Sequence, residues 1–243
     1  MTATPSPLRR TFMLRLTGRC AILALCAVLL ALAPEQFDVL RGMNFFRQPS
    51  ALHLLWLLWM FNMIAQLIPG RPRAPLGSQK LFARRFRPAN LRFDAQALRR
   101  YIAETTKSAY LVMLLWTALT LLIGALHGAG VLTDAMVLLI VVFFYVSDLI
   151  CVLIWCPFRL LMKNRCCTTC SIYNWDHIIM FAPMVFVRGF YGLSLFAMSV
   201  VDRLVWELSV ALHPERFWEQ SNEALRCRSC TDKLCTQYCQ KLR

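Results

Sequence analysis

The chain has 243 residues, of which 58% are hydrophobic and 16% charged, whereas a soluble domain carries about 25% charged residues. Long apolar runs hold the surplus, so lipid is the expected solvent for much of the chain. The net charge of +14 does not favour nucleic-acid binding, because the basic residues flank apolar runs, a pattern typical of cytoplasmic loops in membrane proteins. We therefore predict an all-α, polytopic membrane protein whose basic loops contact anionic lipid of the inner leaflet.

The first apolar run, Cys20 to Ala33, follows four arginines and suits either a signal peptide or a retained membrane anchor. Arg9-Arg10 resembles a twin-arginine export signal, and Ala31-Leu-Ala33 resembles a small-residue cleavage site. Pro34 directly after that site argues against cleavage, which favours a retained anchor. Either interpretation puts the N-terminus in the cytoplasm.

A second apolar run, Leu52 to Ile68, is just long enough to span a membrane, so residues 1–70 are predicted to form a two-span hairpin. Residues 71–107 form a basic loop, expected to be cytoplasmic, within which apolar residues recur at roughly helical spacing. This spacing predicts an interfacial amphipathic helix. Two further spans are predicted, Ala109 to Leu126, which the interfacial helix can enter directly, and Thr133 to Trp155.

The region from Ile178 to Leu212 is apolar but interrupted by charges, and it allows two interpretations. In the first, Tyr191 to Leu212 spans the membrane and Ile178 to Val187 is a re-entrant or broken half-helix, with Arg188-Gly189 at the bend. In the second, one crossing runs from Ile178 to about Val201. The first is favoured, because the hairpin keeps the basic tail inside. The prediction is about five spans plus a short re-entrant or broken helix.

Residues 108–212 would then form a C-terminal membrane bundle that includes a cysteine loop at 156–176, and residues 213–243 a cysteine-rich cytoplasmic tail. Seven cysteines lie in the polar segments of these regions. They are Cys166, Cys167, Cys170, Cys227, Cys230, Cys235 and Cys239. Cysteines that cluster in polar segments rather than scatter through apolar ones indicate a metal or redox site.

The pairs Cys167–Cys170 and Cys227–Cys230 have Cys-x-x-Cys spacing, in which two thiolates on a tight turn reach one ion without strain. Two such pairs supply the four sulfur ligands of a zinc site. The excess of thiols also allows an iron–sulfur cluster, although the tail spacing does not match ferredoxin runs. His177 is close enough in sequence to be an alternative nitrogen ligand. Because cytoplasmic thiols stay reduced, metal binding is favoured over structural disulfides.

Charged residues also occur at membrane depth. Asp148 lies late in the fourth predicted span, and it is expected either to pair with Arg188 or Arg203 or to reach the nearby inner interface. The sequence contains no Gly-rich phosphate loop, nucleophile elbow or His-Glu-x-x-His motif. Enzyme chemistry other than redox therefore has no support, and whether the protein is an enzyme stays open.

Three motifs together resemble a group of uncharacterised bacterial integral membrane proteins. They are the Asn164–His177 segment with its Cys-Cys-x-x-Cys run, His213-Pro-Glu-Arg-Phe217, and the Cys227/Cys230 pair. The resemblance covers about the C-terminal half of the chain. It implies a multi-pass protein of the bacterial inner membrane with linked cysteine motifs, and it brings no established activity.

The sequence thus predicts a cytoplasm-facing metal site that joins the 166–170 loop to the tail, with zinc favoured over an iron–sulfur cluster. Its role would be structural or regulatory with zinc, or electron transfer with a cluster. The alternative is a membrane thiol–disulfide oxidoreductase that uses the Cys-x-x-Cys pairs. A transporter that uses Asp148 and Arg188 is the least favoured, because the sequence has few spans and no detectable internal repeat.

Overall fold

The computed structural model describes residues 6–69, 76–89, 94–162, 167–230 and 232–234, with the backbone alone at residues 95, 159 and 167. Within these ranges the chain is helical and forms no strand. The α-helices are α1 (Pro7–Leu32), α2 (Leu52–Gln66), α3 (Leu76–Gln79), α4 (Ala95–Gly128), α5 (Asp134–Leu153), α6 (Phe158–Met162), α7 (Asp176–Phe181) and α8 (Phe190–Leu212). Short 3-10 turns connect them.

Three of the described helices, α1, α4 and α5, are long and apolar enough to cross a membrane. They indicate a helical membrane protein. Helix α2 is also apolar but has 15 residues, and the apolar sequence of α8 contains the charged residues Asp202, Arg203 and Glu207. The expectation of five spans and a re-entrant segment therefore stays a prediction.

Local capping explains where the long helices begin. The Thr133 side chain accepts a hydrogen bond from the Met136 amide at the start of α5, and Asp94 does the same for the Gln96 amide of α4. Helix α4 runs without a break from the predicted interfacial segment through the third predicted span, and it ends at Gly128. Gly130 then has a φ of 74°, a conformation that glycine adopts without strain.

The helices run between two ends of the bundle, which we name by their contacts. At the tail end, the Ser6 hydroxyl donates to the Asp232 carbonyl, 2.9 Å away. At the opposite loop end, the Phe190 amide donates to the Gly42 carbonyl at 2.9 Å. Helix α1 packs along α5, with Phe12 and Leu16 against Leu149 and its neighbours. Because α1 starts at the tail end, α5 runs back towards it.

The chain breaks sharply at the loop end between the 182–187 turn and α8. Arg188 has a φ of 40°, and α8 begins directly after Gly189. This is the bend that the first interpretation predicted, and it rules out one continuous helix from 178 to 201. Gly189 lies so close to Leu40 that an added Cβ would be 1.8 Å from the Leu40 carbonyl oxygen.

The largest cluster of buried side chains lies between α2, α5, the 182–187 turn and α8. Trp59 is 1% exposed and packs edge-on against Tyr145 and Phe181, with ring centroids 5.8 and 5.2 Å away. The buried Tyr191 hydroxyl donates to the Leu52 carbonyl at 3.0 Å. These contacts of α2 fix α5 and α8 relative to each other.

Candidate functional site

The predicted metal ligands are described only in part. Cys170, Cys227 and Cys230 have described side chains, whereas Cys166, Cys235, Cys239 and the side chain of Cys167 lie outside the described residues. Among the side chains that the structure describes, no three His, Cys, Asp or Glu residues form a group that would hold a metal ion. The metal site therefore stays a prediction, and what the structure adds is the placement of the two cysteine stretches.

Both cysteine stretches contact the same short helix, α3. The 167–169 turn packs against α3, and Leu76 of α3 forms a buried cluster with Ala224 and Leu225, just before Cys227. The carboxylate of Asp232 accepts a hydrogen bond from the Leu76 amide at 2.6 Å. The loop after α5 and the tail thus lie at the same end of the bundle, where both contact α3.

A buried lysine next to α3 contacts both the cysteine loop and α8. Lys80 is 2% exposed, and its ammonium donates to the Thr168 carbonyl at 2.7 Å. The rings of Tyr173, Trp206 and Phe217 lie 5.6 to 5.9 Å from the ammonium, within reach of cation–π attraction. The sequence placed Lys80 among the basic residues of a lipid-facing loop, and no local pattern marks it as buried.

The segment from Cys227 to Cys230 forms a tight turn. The Cys230 amide donates to the Cys227 carbonyl at 3.3 Å, which closes a tight turn. Glu223 holds this turn, since its carboxylate accepts from the side chains of Arg226 at 2.7 Å, Arg228 at 2.9 Å and Ser229 at 3.0 Å. These contacts of Glu223 hold the backbone that carries Cys227 and Cys230.

Burial raises the pKa of the Cys170 thiol, and backbone hydrogen bonds at Tyr173 and Ile172 together with the charge of Lys80 offset this only in part. The Cys156 thiol adds to the rise. Since the ligand form of cysteine is the thiolate, a metal ion that binds Cys170 has to displace a proton.

The prediction that Asp148 pairs with Arg188 or Arg203 is wrong. The Asp148 carboxylate pairs with Arg19 of α1, with Nη1 2.8 Å from Oδ2, and the Arg19 guanidinium lies 3.8 Å from the centroid of the Tyr145 ring. Arg188 lies instead at the loop end, and Arg203 lies over Trp175 at 4.7 Å. The pairing follows from the packing of α1 along α5, which brings Arg19 opposite Asp148.

A cavity of about 880 Å³ opens beside this ion pair, between α1, α2, α4, α5 and α7. Cys151, Cys156 and Cys170 are among the residues that line it, and so are Asp176 and His177. Sequence reasoning gave no role to Asp176 and assigned no role in a cavity to Cys151 or Cys156. Cys151 and Cys156 lie in or directly after an apolar run, and Asp176 is distant from them in sequence. Only the fold brings these residues to one cavity.

Asp176, His177 and Asp202 form a buried cluster, of which Asp176 and His177 line the cavity. The Nδ1 atom of His177 lies 3.2 Å from a carboxylate oxygen of Asp176 and 3.2 Å from one of Asp202. Burial raises the pKa of Asp176 to about 6. Burial also disfavours the imidazolium of His177, but the two carboxylates outweigh it and raise the pKa of His177. The Nδ1 side of the imidazole is thus engaged with carboxylates, and His177 as an alternative metal ligand stays a prediction.

No family model matches the chain, and no curated protein or solved structure is significantly similar to it. The resemblance carried by the cysteine motifs therefore stays a prediction.

Proposed function

We propose that this protein is a multi-pass protein of the bacterial inner membrane whose tail end carries a cytoplasm-facing thiolate metal site, with zinc favoured over an iron–sulfur cluster. The observation that supports this proposal is the packing of both cysteine stretches against α3. The metal would join the loop after α5 to the tail. The family resemblance supports the bacterial location.

The ligands of this proposed site come from Cys170, Cys227 and Cys230, completed by one of Cys166, Cys167, Cys235 and Cys239. Four thiolates match the tetrahedral preference of zinc. A zinc ion has no redox chemistry, so its role here would be to clamp the loop to the tail. An iron–sulfur cluster on the same thiolates would make the site an electron carrier.

Metal analysis of the detergent-purified protein tests this proposal. We expect about one zinc per chain in the wild type, and loss of most of it in Cys170→Ser and in the double variant C227S/C230S. Cys20→Ser is the matched control, since Cys20 is an exposed thiol on α1. A visible absorption band with stoichiometric iron would assign a cluster instead. Protein with intact thiols and neither metal would refute the proposal.

The proposed orientation has the N-terminus, the basic loop and the tail on the cytoplasmic side. The contact between Ser6 and Asp232 supports this, because it puts the two parts of the chain at one end of the bundle. The bend at Arg188-Gly189 supports an in-and-out path for residues 178–212. We expect a C-terminal fluorescent-protein fusion to be active and a C-terminal alkaline phosphatase fusion to be inactive, and the reverse pattern would contradict the orientation.

The alternative function, a thiol–disulfide oxidoreductase, is favoured by one observation: Cys151, Cys156 and Cys170 line the same cavity. In that case at least one pair of thiols would change between reduced and oxidised forms in cells. Alkylation trapping in intact cells separates the alternatives, since thiols that stay reduced in every growth condition would contradict an oxidoreductase.

A further inference from the structure

One face of α2 presents polar groups to the cavity. Trp59, Asn62 and Gln66 all line it, and their spacing of three and four residues places them on one side of a helix. We call these three residues the α2 face. Asn62 and Gln66 are the polar side chains that α2 has beyond its first turn, tryptophans aside. Polar side chains on an apolar helix of a membrane protein are costly and usually serve a function.

The hydrogen-bonding groups of the α2 face are unused within the described part of the chain. Trp59 is 1% exposed, and its indole N–H has no hydrogen-bond partner there, whereas the Trp56 indole donates to the Ser194 hydroxyl at 2.9 Å. The carboxamides of Asn62 and Gln66 make no hydrogen bond with a described residue either. Because a buried donor without an acceptor is unfavourable, this face is suited to a ligand with acceptor atoms.

Charged side chains also line the cavity, but those that the structure describes are paired or exposed. Arg19 pairs with Asp148 at 2.8 Å, and the His177 imidazole lies 3.2 Å from the Asp176 carboxylate. Arg15 is exposed on α1. The α2 face itself carries no charge. Since a buried charge is unfavourable without a counter-charge beside it, the α2 face favours an uncharged ligand.

Aromatic rings form the cavity wall on the side of α4 and α5. The rings of Trp116 and Phe144 are 4.7 Å apart, Phe158 lies beside Trp116 at 6.1 Å, and all three line the cavity. A hydrogen bond of 2.8 Å from the Trp116 indole to the Ile179 carbonyl holds the ring in place. Aromatic side chains pack favourably against the rings of other molecules in stacked or edge-on arrangements, so this wall favours a ligand that contains a flat ring.

Part of the cavity wall is exposed at the apolar surface of the bundle. Leu119 of α4 and Phe143 of α5 line the cavity and are 38% and 54% exposed. Both helices are long and apolar enough to cross a membrane, so a ligand that enters between them comes from the lipid. The volume of about 880 Å³ lies in the range of about 300–1,000 Å³ that is typical of small-molecule sites.

We propose that this cavity binds the ring of a membrane quinone, with a ring carbonyl accepting hydrogen bonds from the α2 face. A quinone ring is flat and uncharged, its polar atoms are acceptors, and its apolar tail makes it soluble in lipid. It therefore matches the α2 face, the aromatic wall and the exposed apolar surface. The tail would leave the cavity past Leu119 and Phe143. The proposal concerns binding alone and does not depend on the metal site, because the α2 face contains no cysteine.

Binding of decylubiquinone to the full-length protein in a neutral detergent tests the proposal. Decylbenzene is the control ligand that has a ring and a tail but no carbonyl, and dioctanoylglycerol is the control that has ester carbonyls but no ring. We expect saturable binding of one quinone per chain and at least tenfold weaker binding of both controls. Equal affinity for decylbenzene would show that hydrogen bonds do not select the ligand, and equal affinity for dioctanoylglycerol would show a lipid site. Either result would overturn the proposal.

The double variant N62L/Q66L tests the role of the α2 face, since it removes both carboxamides and keeps most of their volume. We expect its affinity for decylubiquinone to be at least tenfold lower than that of the wild type. Thr117→Val is the matched control, because it removes a hydroxyl from an exposed position of α4 and should leave the affinity unchanged. Equal affinity of the double variant and the wild type would contradict the proposed contact.

A measurement on the wild type alone keeps the proposal falsifiable should the double variant fail to fold. Infrared spectroscopy of decylubiquinone with carbon-13 at its carbonyl groups reports their hydrogen bonds. We expect a carbonyl band of the bound quinone to lie at lower frequency than that of the quinone in detergent. A bound quinone whose carbonyl bands are unshifted accepts no hydrogen bond from the protein, and that result would overturn the proposal.

Discussion

Arg19 and Asp148 form an ion pair between two of the apolar helices, and each residue depends on the other. Their side chains are 18% and 28% exposed. We expect Arg19→Met to lower the free energy of unfolding by about 1–3 kcal/mol, between the values of exposed and fully buried ion pairs, because it leaves a carboxylate without its counter-charge. The double variant R19M/D148L should recover most of this loss, since it removes both charges. Thermal unfolding in detergent measures both, and a double variant no more stable than the single one would contradict the pairing.

Lys80 is expected to position the cysteine loop. Lys80→Met removes the hydrogen bond to the Thr168 carbonyl and the attraction to three aromatic rings, while it keeps much of the apolar volume. The loop should then open more often, so we expect Cys170 to be alkylated at least several-fold faster and zinc occupancy to fall. Lys107→Met, at an exposed position of α4, is the control. Unchanged alkylation of Cys170 in the Lys80 variant would show that the lysine does not hold the loop.

Sequence reasoning found charged residues at depth but not their partners. Arg19 was interpreted as one of the basic residues before a span, and its carboxylate partner is 129 positions away. Lys80 and Asp202 are likewise defined by contacts from distant elements. Spacing along the chain predicts which residues share a helix face, but it contains no information on which helices become neighbours.

Among the elements, the long helices were predicted well, because their signals are local. The apolar runs of α4 and α5 and the capping residue Thr133 lie within a few positions of the helix starts that they define. Helix α3 was not predicted, since it has four residues and is held by the 167–169 turn and the tail. That short helix is nevertheless the element that brings the cysteine stretches together.

The bend before α8 depends on the close approach of Gly189 to Leu40. We expect Gly189→Ala to destabilise the protein by several kcal/mol, because the new Cβ would overlap a backbone carbonyl that cannot move freely. Gly128→Ala, where an added Cβ has open space, should be neutral or stabilise α4 by about 0.5–1 kcal/mol. Thermal unfolding compares the two variants, and equal melting temperatures would mean that the bend does not need this contact.

At the scale of the whole molecule, the chain concentrates its polar groups towards one end of an apolar bundle. The ion pair, the cavity with its carboxylates, and both cysteine stretches lie on the tail-end side of the packed aromatic core. The composition predicted the apolar bundle, and the cysteine spacing predicted that the tail contributes to a metal site. That the loop after α5 and the tail both contact α3 could not be predicted, because it depends on how elements distant in sequence pack.

The central claim, one metal held by both cysteine stretches, is tested most directly by X-ray absorption at the zinc edge of the purified protein. We predict four sulfur neighbours at about 2.3 Å, and loss of this signal both in Cys170→Ser and in the double variant C227S/C230S. A spectrum with mainly nitrogen and oxygen neighbours, or one that the double variant leaves unchanged, would contradict the claim.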